Sequence, residues 1–201
     1  MEIERNAGHH SYRCWLTTDE YERLRNAAEG YRDDLIVRLG GEVGLRSFEI
    51  PQLRPEHVRW TSDGEHYRLR VPRGKDTSGE GGKPRNAYLP HEVERAIHLY
   101  SNSEEIADDE PLIELTPQSV QCVVTRTAER VGDETGDPDW RKVSSHNLRR
   151  YFAHQLLVEE QINPRVVMKV GGWDKFESIE PYLAKPSENT VNEAFEECGR
   201  A

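Results

Sequence analysis

The sequence predicts an α+β protein that is mainly α-helical and carries a small antiparallel β-sheet. Helix-type spacing of apolar residues occurs before residue 45 and returns after Pro90. Residues 58–90 instead show short alternating runs, VRW, HYRLRVP and NAYLP, separated by Asp-Gly and by the loop GKDTSGEGGK. Such runs between turn-forming residues are typical of strands joined by hairpins.

Capping signals place the first two helices. The segment Thr17-Thr18-Asp19-Glu20 fits a capping box, so we expect a helix from there to about Gly30. A second helix is expected from about 32 to 39, because apolar residues share one face there and a glycine-rich stretch begins at Gly40. Residues 1–15 are polar and aperiodic, and we interpret them as a flexible lead or a docking arm.

Helices return after the predicted sheet. HEVERAIHLYSN forms the first, and Thr116-Pro117 is an N-cap followed by proline at the first position of the helix QSVQCVVTRTAERVG. GDETGDPDW is predicted to be a loop. Further helices are expected in SSHNLRRYFAHQLLVEEQ, in PRVVMKVGG after Asn163-Pro164, and in the acidic segment SENTVNEAFEECG.

The charge composition at first argues against nucleic acid as a partner. Asp and Glu number 37 against 27 Lys and Arg, which gives a net charge of -10. Only six of the basic residues are lysine and 21 are arginine, a bias that resembles the proteins of salt-loving archaea; an ordinary acidic bacterial protein is the alternative. At molar salt the Debye length is about 3 Å. In such a cell the positions of individual arginines indicate the binding partner better than the net charge of the chain does.

Targeting and cysteine signals indicate a cytoplasmic protein without a membrane partner. No run approaches the roughly 18 apolar residues that a transmembrane helix needs, and MEIERNAGHH lacks the apolar segment of a secretory signal. Cys14, Cys122 and Cys198 are isolated from one another. We therefore expect neither a disulfide framework nor a cysteine-based zinc site.

Three segments carry candidate catalytic residues. GLRSFEI contains Arg46, and SSHNLRRYFAHQLL contains His146 and Arg149, whose i,i+3 spacing places them on one helix face. GGWDKFESIEPYLA contains Trp173, followed nine residues later by Tyr182. Each pattern alone also arises from packing, but their order, with a lysine in the intervening hairpin, is specific.

In this order the segments resemble the tyrosine recombinase, or phage integrase, family over nearly the whole chain. They are similar to the family's GLR-x-x-E-L, H-x-LR-H-x-x-A and GH-x-x-x-x-T-x-x-Y boxes, with tryptophan where the family most often has histidine. The resemblance implies the tyrosine recombinase catalytic-domain fold for residues 16–201. It also implies a catalytic set consisting of Arg46, Lys75, His146, Arg149, Trp173 and Tyr182.

The resemblance implies that Tyr182 attacks a DNA phosphodiester and forms a covalent 3′-phosphotyrosine. Two arginines suit such a reaction, because they bind phosphate oxygens in a bidentate manner and stabilise charge in the transition state. The neighbouring Arg150 either contacts a phosphate or faces solvent. His146 is the implied general base or proton shuttle. Trp173 can only donate a hydrogen bond or buttress the site. We expect no metal, no nucleotide cofactor and no small-molecule substrate.

A hairpin lysine is implied as the acid that protonates the leaving 5′-oxygen. Lys75 occupies the family position, because it follows a glycine in Arg73-Gly74-Lys75. Lys83 belongs to the same loop and remains the alternative.

Double-stranded DNA is the implied partner, bound by a homotetramer in which a C-terminal segment such as 191–195 docks on a neighbour. About 45 residues precede Arg46, too few for the N-terminal core-binding domain usual in the family. The chain is then either a natural short protein or a catalytic-domain fragment. Two alternatives stay open: a recombinase-derived DNA-binding or regulatory protein that no longer cleaves, and a monomeric relaxing enzyme of the type IB topoisomerase kind. The DNA target and the direction of any recombination are not specified by the sequence.

Overall fold

The computed structural model describes residues 1–5, 12–74 and 82–183. Within these ranges the chain is predominantly helical, which confirms the predicted fold class. The described helices are α1 (Thr18–Asn26), α2 (Tyr31–Gly41), α3 (His91–Ser103), α4 (Pro117–Thr135), α5 (Ser145–His154) and α6 (Pro164–Gly171).

The predicted sheet lies where the alternating runs occur. Strands β3 (Val58–Trp60), β4 (Tyr67–Val71) and β5 (Arg85–Leu89) form an antiparallel meander in the order β3-β4-β5. Leu69 pairs with Ala87 on the buried face, so the alternation of the sequence matches the pleat of the sheet. Residues 75–81 of the hairpin loop, including Lys75, lie outside the described residues.

Residues 1–15, which we expected to be a flexible lead or a docking arm, contain two short strands in their described part. Strands β1 (Glu2–Arg5) and β2 (Tyr12–Trp15) pair in an antiparallel hairpin, with Glu2 opposite Trp15. Cys14 is fully buried, and its carbonyl accepts a hydrogen bond of 3.5 Å from Asn147 Nδ2 in α5. The sequence pattern missed these strands because each has only four residues and Cys14 is the only fully buried one.

Helix boundaries follow the capping signals at most positions. The Thr17–Glu20 capping box is present, with Thr17 N donating to Glu20 Oε2 at 2.9 Å. Helix α4 continues to Thr135 and ends at Gly136, so part of the predicted loop is helical. The helix expected up to residue 161 ends at His154 and continues as a π-helical turn, Gln155–Glu159. The predicted C-terminal acidic helix lies outside the described residues.

Helix α2 forms the centre of the core and brings α5 close to the loop that follows α2. Its side chains Leu35, Ile36 and Leu39 are buried. A Cβ atom on Gly40 would lie 2.8 Å from Leu148 Cδ1, so glycine allows α5 to pack directly against this helix. This contact places the His146–Arg149 turn beside the segment that contains Arg46.

No helix in the described part of the chain combines the length and the apolar character needed to cross a membrane.

Gly44, which begins the GLRSFEI segment, should be the least replaceable of the positive-φ glycines. Its φ is 72°, and a Cβ atom would lie 2.4 Å from Phe152 Cδ1. We expect Gly44→Ala to lose about 1–2 kcal/mol through backbone strain and about 1–3 kcal/mol more through overpacking. The free energy of unfolding, measured in denaturant, gives the sum of these two losses.

Gly136→Ala is the matched control, because Gly136 has a φ of 70° and open space around the Cα. It should show the backbone term alone. Equal losses in the two variants would contradict the packing role assigned to Phe152.

Candidate active site

Five of the six predicted catalytic residues line one surface depression of about 420 Å³. We call it the catalytic depression. Lys75, the sixth residue, lies outside the described part of the chain. The depression is formed by Arg46, His146, Arg149, Trp173 and Tyr182, together with Gly172, Asp174, Lys175 and Ser178.

Arg46 is positioned by a turn in the loop after α2. Glu49 N donates to the Arg46 carbonyl at 2.9 Å and closes this turn. The guanidinium donates from Nη1 to Glu49 Oε1 at 3.0 Å and from Nη2 to the Gly172 carbonyl at 3.2 Å. Two contacts from different segments therefore fix the Arg46 guanidinium at the wall of the catalytic depression.

Glu49 is a buried carboxylate that also binds a second arginine, Arg85 at the start of β5. Arg85 donates from Nη1 and Nη2 to the two carboxylate oxygens at 2.5 and 2.9 Å. Burial by itself would raise the pKa of Glu49, but the hydrogen bonds and charges of Arg85 and Arg46 lower it below 4.5. The carboxylate is thus ionised at neutral pH and neutralises part of the arginine charge.

Arg149 is buried, with 2% of its surface exposed. Its Nη1 donates to the Gly44 carbonyl, and its Nη2 donates to the Gly171 carbonyl at 2.7 Å. The guanidinium carbon lies 3.8 Å from the centre of the Trp173 ring, in a cation–π contact. Among the described residues Arg149 forms no salt bridge with a carboxylate. Burial, followed by the charge of Arg46, lowers its pKa well below the usual range, yet guanidinium stays protonated in proteins.

The C-terminal end of α6 binds three arginines, Arg46, Arg85 and Arg149. Carbonyl groups in the last turn of a helix lack intrahelical partners and carry the negative end of the helix dipole. Here the carbonyls of Val170, Gly171 and Gly172 accept hydrogen bonds from three arginines in other segments. The donors are Arg85 Nε at 3.3 Å, Arg149 Nη2 at 2.7 Å and Arg46 Nη2 at 3.2 Å, in that order.

His146 lies in the first turn of α5. A capping box fixes this turn, with Ser144 N donating to Asn147 Oδ1 at 2.8 Å. Restricted hydration in the concave site, followed by repulsion from Arg150, Arg149 and Arg46, lowers the pKa of His146 to about 4. At neutral pH the imidazole is therefore uncharged and can accept a proton.

Aromatic rings surround Tyr182, which lies in a short 3-10 turn, Glu180–Tyr182, and is largely buried. Its ring centre is 6.0 Å from that of Trp173 and 6.1 Å from that of Trp15, which it meets edge to face. Trp173 in turn stacks against Phe152. The Tyr182 ring is therefore confined beside the arginines within a single chain.

Two further depressions adjoin the catalytic one. The hairpin cavity, of about 410 Å³, shares His146 and Tyr182 with it, and its other lining residues are Tyr12, Arg13, Trp15, Ser144, Arg150 and Pro181. The lysine cavity, of about 290 Å³, shares Gly172, Trp173 and Asp174, and its other lining residues are Gly74, Gly82, Lys83, Pro84, Arg85, Met168 and Lys169. Lys83 thus lies next to the catalytic depression and not in its wall.

Positive charge is concentrated around the three depressions. The described lining residues include eight arginines and lysines but a single carboxylate, that of Asp174, although the whole chain has a net charge of -10. Such a surface can bind several phosphate groups side by side. The eight are Arg13, Arg46, Lys83, Arg85, Arg149, Arg150, Lys169 and Lys175.

Sequence reasoning missed several residues that build the site. Glu49 was part of a matched motif, and its i,i+3 spacing from Arg46 was the available signal for an ion pair. Arg85 and Trp15 gave no signal, because their partners are distant in the chain. For Arg150 the sequence left two interpretations, a phosphate contact or a solvent-exposed side chain, and nothing in it indicated that the side chain is buried.

Comparison with known proteins agrees with this geometry. The sequence pattern of the phage integrase family matches residues 14–189. Tyrosine recombinase XerA of Pyrococcus horikoshii is 26% identical over 195 residues, which cover 91% of this chain and 60% of that protein. The chain therefore spans about 60% of the length of this curated relative.

Solved structures share the fold. The crystal structure of XerA recombinase has a TM-score of 0.68 at 20% identity, and the match covers 96% of this chain and 66% of that one. The Tn1549 transposon integrase in complex with transposon right end DNA has a TM-score of 0.74 at 15% identity, over 93% and 66% of the two chains. XerH bound to difH substrate has a TM-score of 0.66 at 19% identity, over 90% and 53%.

Removing the charge of Glu49 should destabilise the fold. Glu49→Gln leaves Arg46 and Arg85 without their carboxylate, and breaking a buried ion pair costs about 3–5 kcal/mol. Glu29→Gln is the control, because Glu29 pairs with Arg130 at the surface and should contribute about 0–1 kcal/mol. Urea unfolding at neutral pH compares the two variants, and equal losses would contradict the role assigned to Glu49.

The difference between wild type and Glu49→Gln should also depend on pH. The pKa of Glu49 in the folded protein lies below its ordinary value of 4.5. Its contribution is therefore complete above pH 4.5 and is lost as the pH falls through the lowered value. Unfolding curves recorded across this range should converge at the acid end.

Proposed function

Because the chain belongs to the phage integrase family, we propose that it is a site-specific DNA recombinase or integrase of the tyrosine type, which cleaves and rejoins DNA strands through a covalent 3′-phosphotyrosine. The observation that carries this proposal is the placement of Tyr182, His146 and two arginines in the wall of one depression. A protein that only bound DNA would have no chemical need for a tyrosine confined beside two phosphate-binding side chains.

In the proposed reaction, Arg46 and Arg149 bind the non-bridging oxygens of the scissile phosphate. Both guanidinium groups are already held by carbonyl oxygens, so little reorganisation is needed when the phosphate arrives. Arg149 has no carboxylate partner among the described residues, and the phosphate supplies the missing negative charge. The same contacts strengthen as a further negative charge develops in the pentavalent transition state.

Tyr182 is the proposed nucleophile. Its Oη forms a bond to phosphorus as the bond from phosphorus to the 5′-oxygen breaks, and neutral His146 accepts the phenolic proton. A free tyrosine has a pKa near 10, so loss of the proton during attack is needed for reaction at neutral pH. Trp173 cannot transfer protons; it holds the Arg149 guanidinium against its ring and forms one side of the Tyr182 site.

The proposed partner is double-stranded DNA, bound by a homo-oligomer in the cytoplasm and without a metal ion. Structures of the Tn1549 integrase and of XerH with their DNA substrates support this partner, as does the positive lining of the three depressions. The acidic remainder of the surface suits a cell of high salt, where short-range arginine contacts outlast long-range attraction.

A nicked suicide substrate tests the covalent step. Wild type should form a protein–DNA adduct that resists denaturants, and Tyr182→Phe should form none, because the nucleophilic oxygen is missing. Tyr31→Phe is the matched control, since Tyr31 is 80% exposed and lies outside the three depressions. The readout is a denaturing gel of samples incubated at high salt. DNA binding without an adduct from wild type would indicate a recombinase-derived binding protein instead.

The leaving-group acid is tested by replacing the bridging 5′-oxygen with sulfur. A thiol has a pKa near 8.5, so a thiolate leaves without the proton that an alkoxide requires. We propose Lys75 as the acid, and expect Lys75→Ala to cleave normal DNA about 10²–10⁴-fold more slowly and the sulfur substrate at the wild-type rate. Lys83→Ala is measured in parallel. If the sulfur substrate restores cleavage by Lys83→Ala only, Lys83 is the acid. If it restores cleavage by neither variant, the proposal that a lysine protonates the leaving group is contradicted.

A further inference from the structure

Arg150 is a buried arginine that the proposed reaction does not use. It lies beside Arg149 on α5 with 6% of its surface exposed. Its Nε and Nη1 atoms are buried and have no hydrogen-bond partner, and among the described residues no other side-chain nitrogen or oxygen is in this state. Buried polar groups in folded proteins are nearly always paired, so this guanidinium indicates an absent ligand.

The neighbours of Arg150 do not balance its charge. Its guanidinium carbon lies 5.4 Å from the ring centre of Trp15 and 6.0 Å from that of Tyr182. Cation–π contacts at these distances offset only part of the free energy lost on dehydration of the ion. A negatively charged group that accepts hydrogen bonds is the missing partner.

The hairpin cavity has the chemistry to receive an anion. Arg13 from β2 lines it together with Arg150, and Tyr12, Ser144 and His146 are further lining residues with polar side chains. No carboxylate is among its described lining residues. Glu4 lies near Arg13, but at 3.9 Å and on the exposed face of the hairpin, where such a pair is weak.

We propose that the hairpin cavity binds a second phosphodiester of the DNA strand, adjacent to the one that is cleaved, with Arg150 and Arg13 as its ligands. This inference rests on the proposed function. His146 and Tyr182 line both this cavity and the catalytic depression, so a strand that crosses Tyr182 carries its next phosphate into the hairpin cavity. The β1–β2 hairpin thereby becomes part of the DNA-binding site.

Neutral phosphate analogues test this contact. One methylphosphonate is placed at the position on either side of the scissile phosphate in DNA without a nick, which is rejoined after cleavage and is therefore not trapped. The dissociation constant of each DNA is measured with wild type, Arg150→Gln and Arg13→Gln. Charged hydrogen bonds of this kind correspond to roughly a tenfold to hundredfold change in affinity. We expect the methylphosphonate at one of the two positions to weaken binding by wild type by that factor. The same substitution should change binding by Arg150→Gln less than about twofold, because this variant has already lost the contact.

Controls separate this contact from general charge effects and from misfolding. Arg95→Gln removes one exposed arginine on α3, away from the three depressions, and should keep the wild-type response to methylphosphonate. Arg13→Gln replaces a side chain that is 41% exposed, so it should fold normally even if Arg150→Gln does not. It should lose the response at the same position as Arg150→Gln.

Three outcomes are decisive. Equal effects of methylphosphonate on wild type and on both variants would overturn the proposal. Stabilisation of wild type by inorganic phosphate, lost in Arg150→Gln but without coupling to either DNA position, would show a site for free anions and overturn the DNA assignment. This experiment measures binding and does not depend on cleavage. If a protein that forms no covalent adduct still loses its response to methylphosphonate on Arg150→Gln, this inference is supported while the proposed cleavage activity fails.

Discussion

Three arginines meet at the C-terminal end of α6, and their guanidinium groups bind the carbonyls of residues 170–172. The helix end supplies acceptors that would otherwise lack partners, and its dipole favours the positive charge. Glu49 supplies a buried carboxylate that Arg46 and Arg85 share. Through these contacts the loop after α2, the start of β5 and the helices α5 and α6 are held together, so the fold and the site depend on the same hydrogen bonds.

This arrangement also accounts for an acidic chain with a positively charged site. Carbonyl oxygens orient a guanidinium but do not neutralise it, so Arg149 keeps its charge without a salt bridge in the described part of the chain. The acidic side chains lie almost entirely outside the three depressions, where Asp174 is the only carboxylate among the described lining residues. The net charge of the chain and the local charge of the three depressions therefore have opposite signs.

The N-terminal hairpin contributes more to the site than its length indicates. Trp15 meets the edge of Tyr182, packs on His154 and lies under the Arg150 guanidinium. The same hairpin places Arg13 at the rim of the cavity beside Tyr182. Confinement of Tyr182 thus depends on contacts between the first residues of the chain and the 3-10 turn that contains the tyrosine. Both elements are too short to be stable without these contacts.

The sequence by itself determined the fold class, the sheet within residues 58–90 and the capping of α1, α4 and α6, because these features depend on local periodicity and on side chains next to each helix end. Motif order also identified five residues that line one depression. The structure alone decided the surroundings of Arg85, Arg150 and Trp15, the pairing of the N-terminal strands and the π-helical turn after His154. Most of these features depend on contacts between residues far apart in the chain, and local sequence patterns do not encode such contacts.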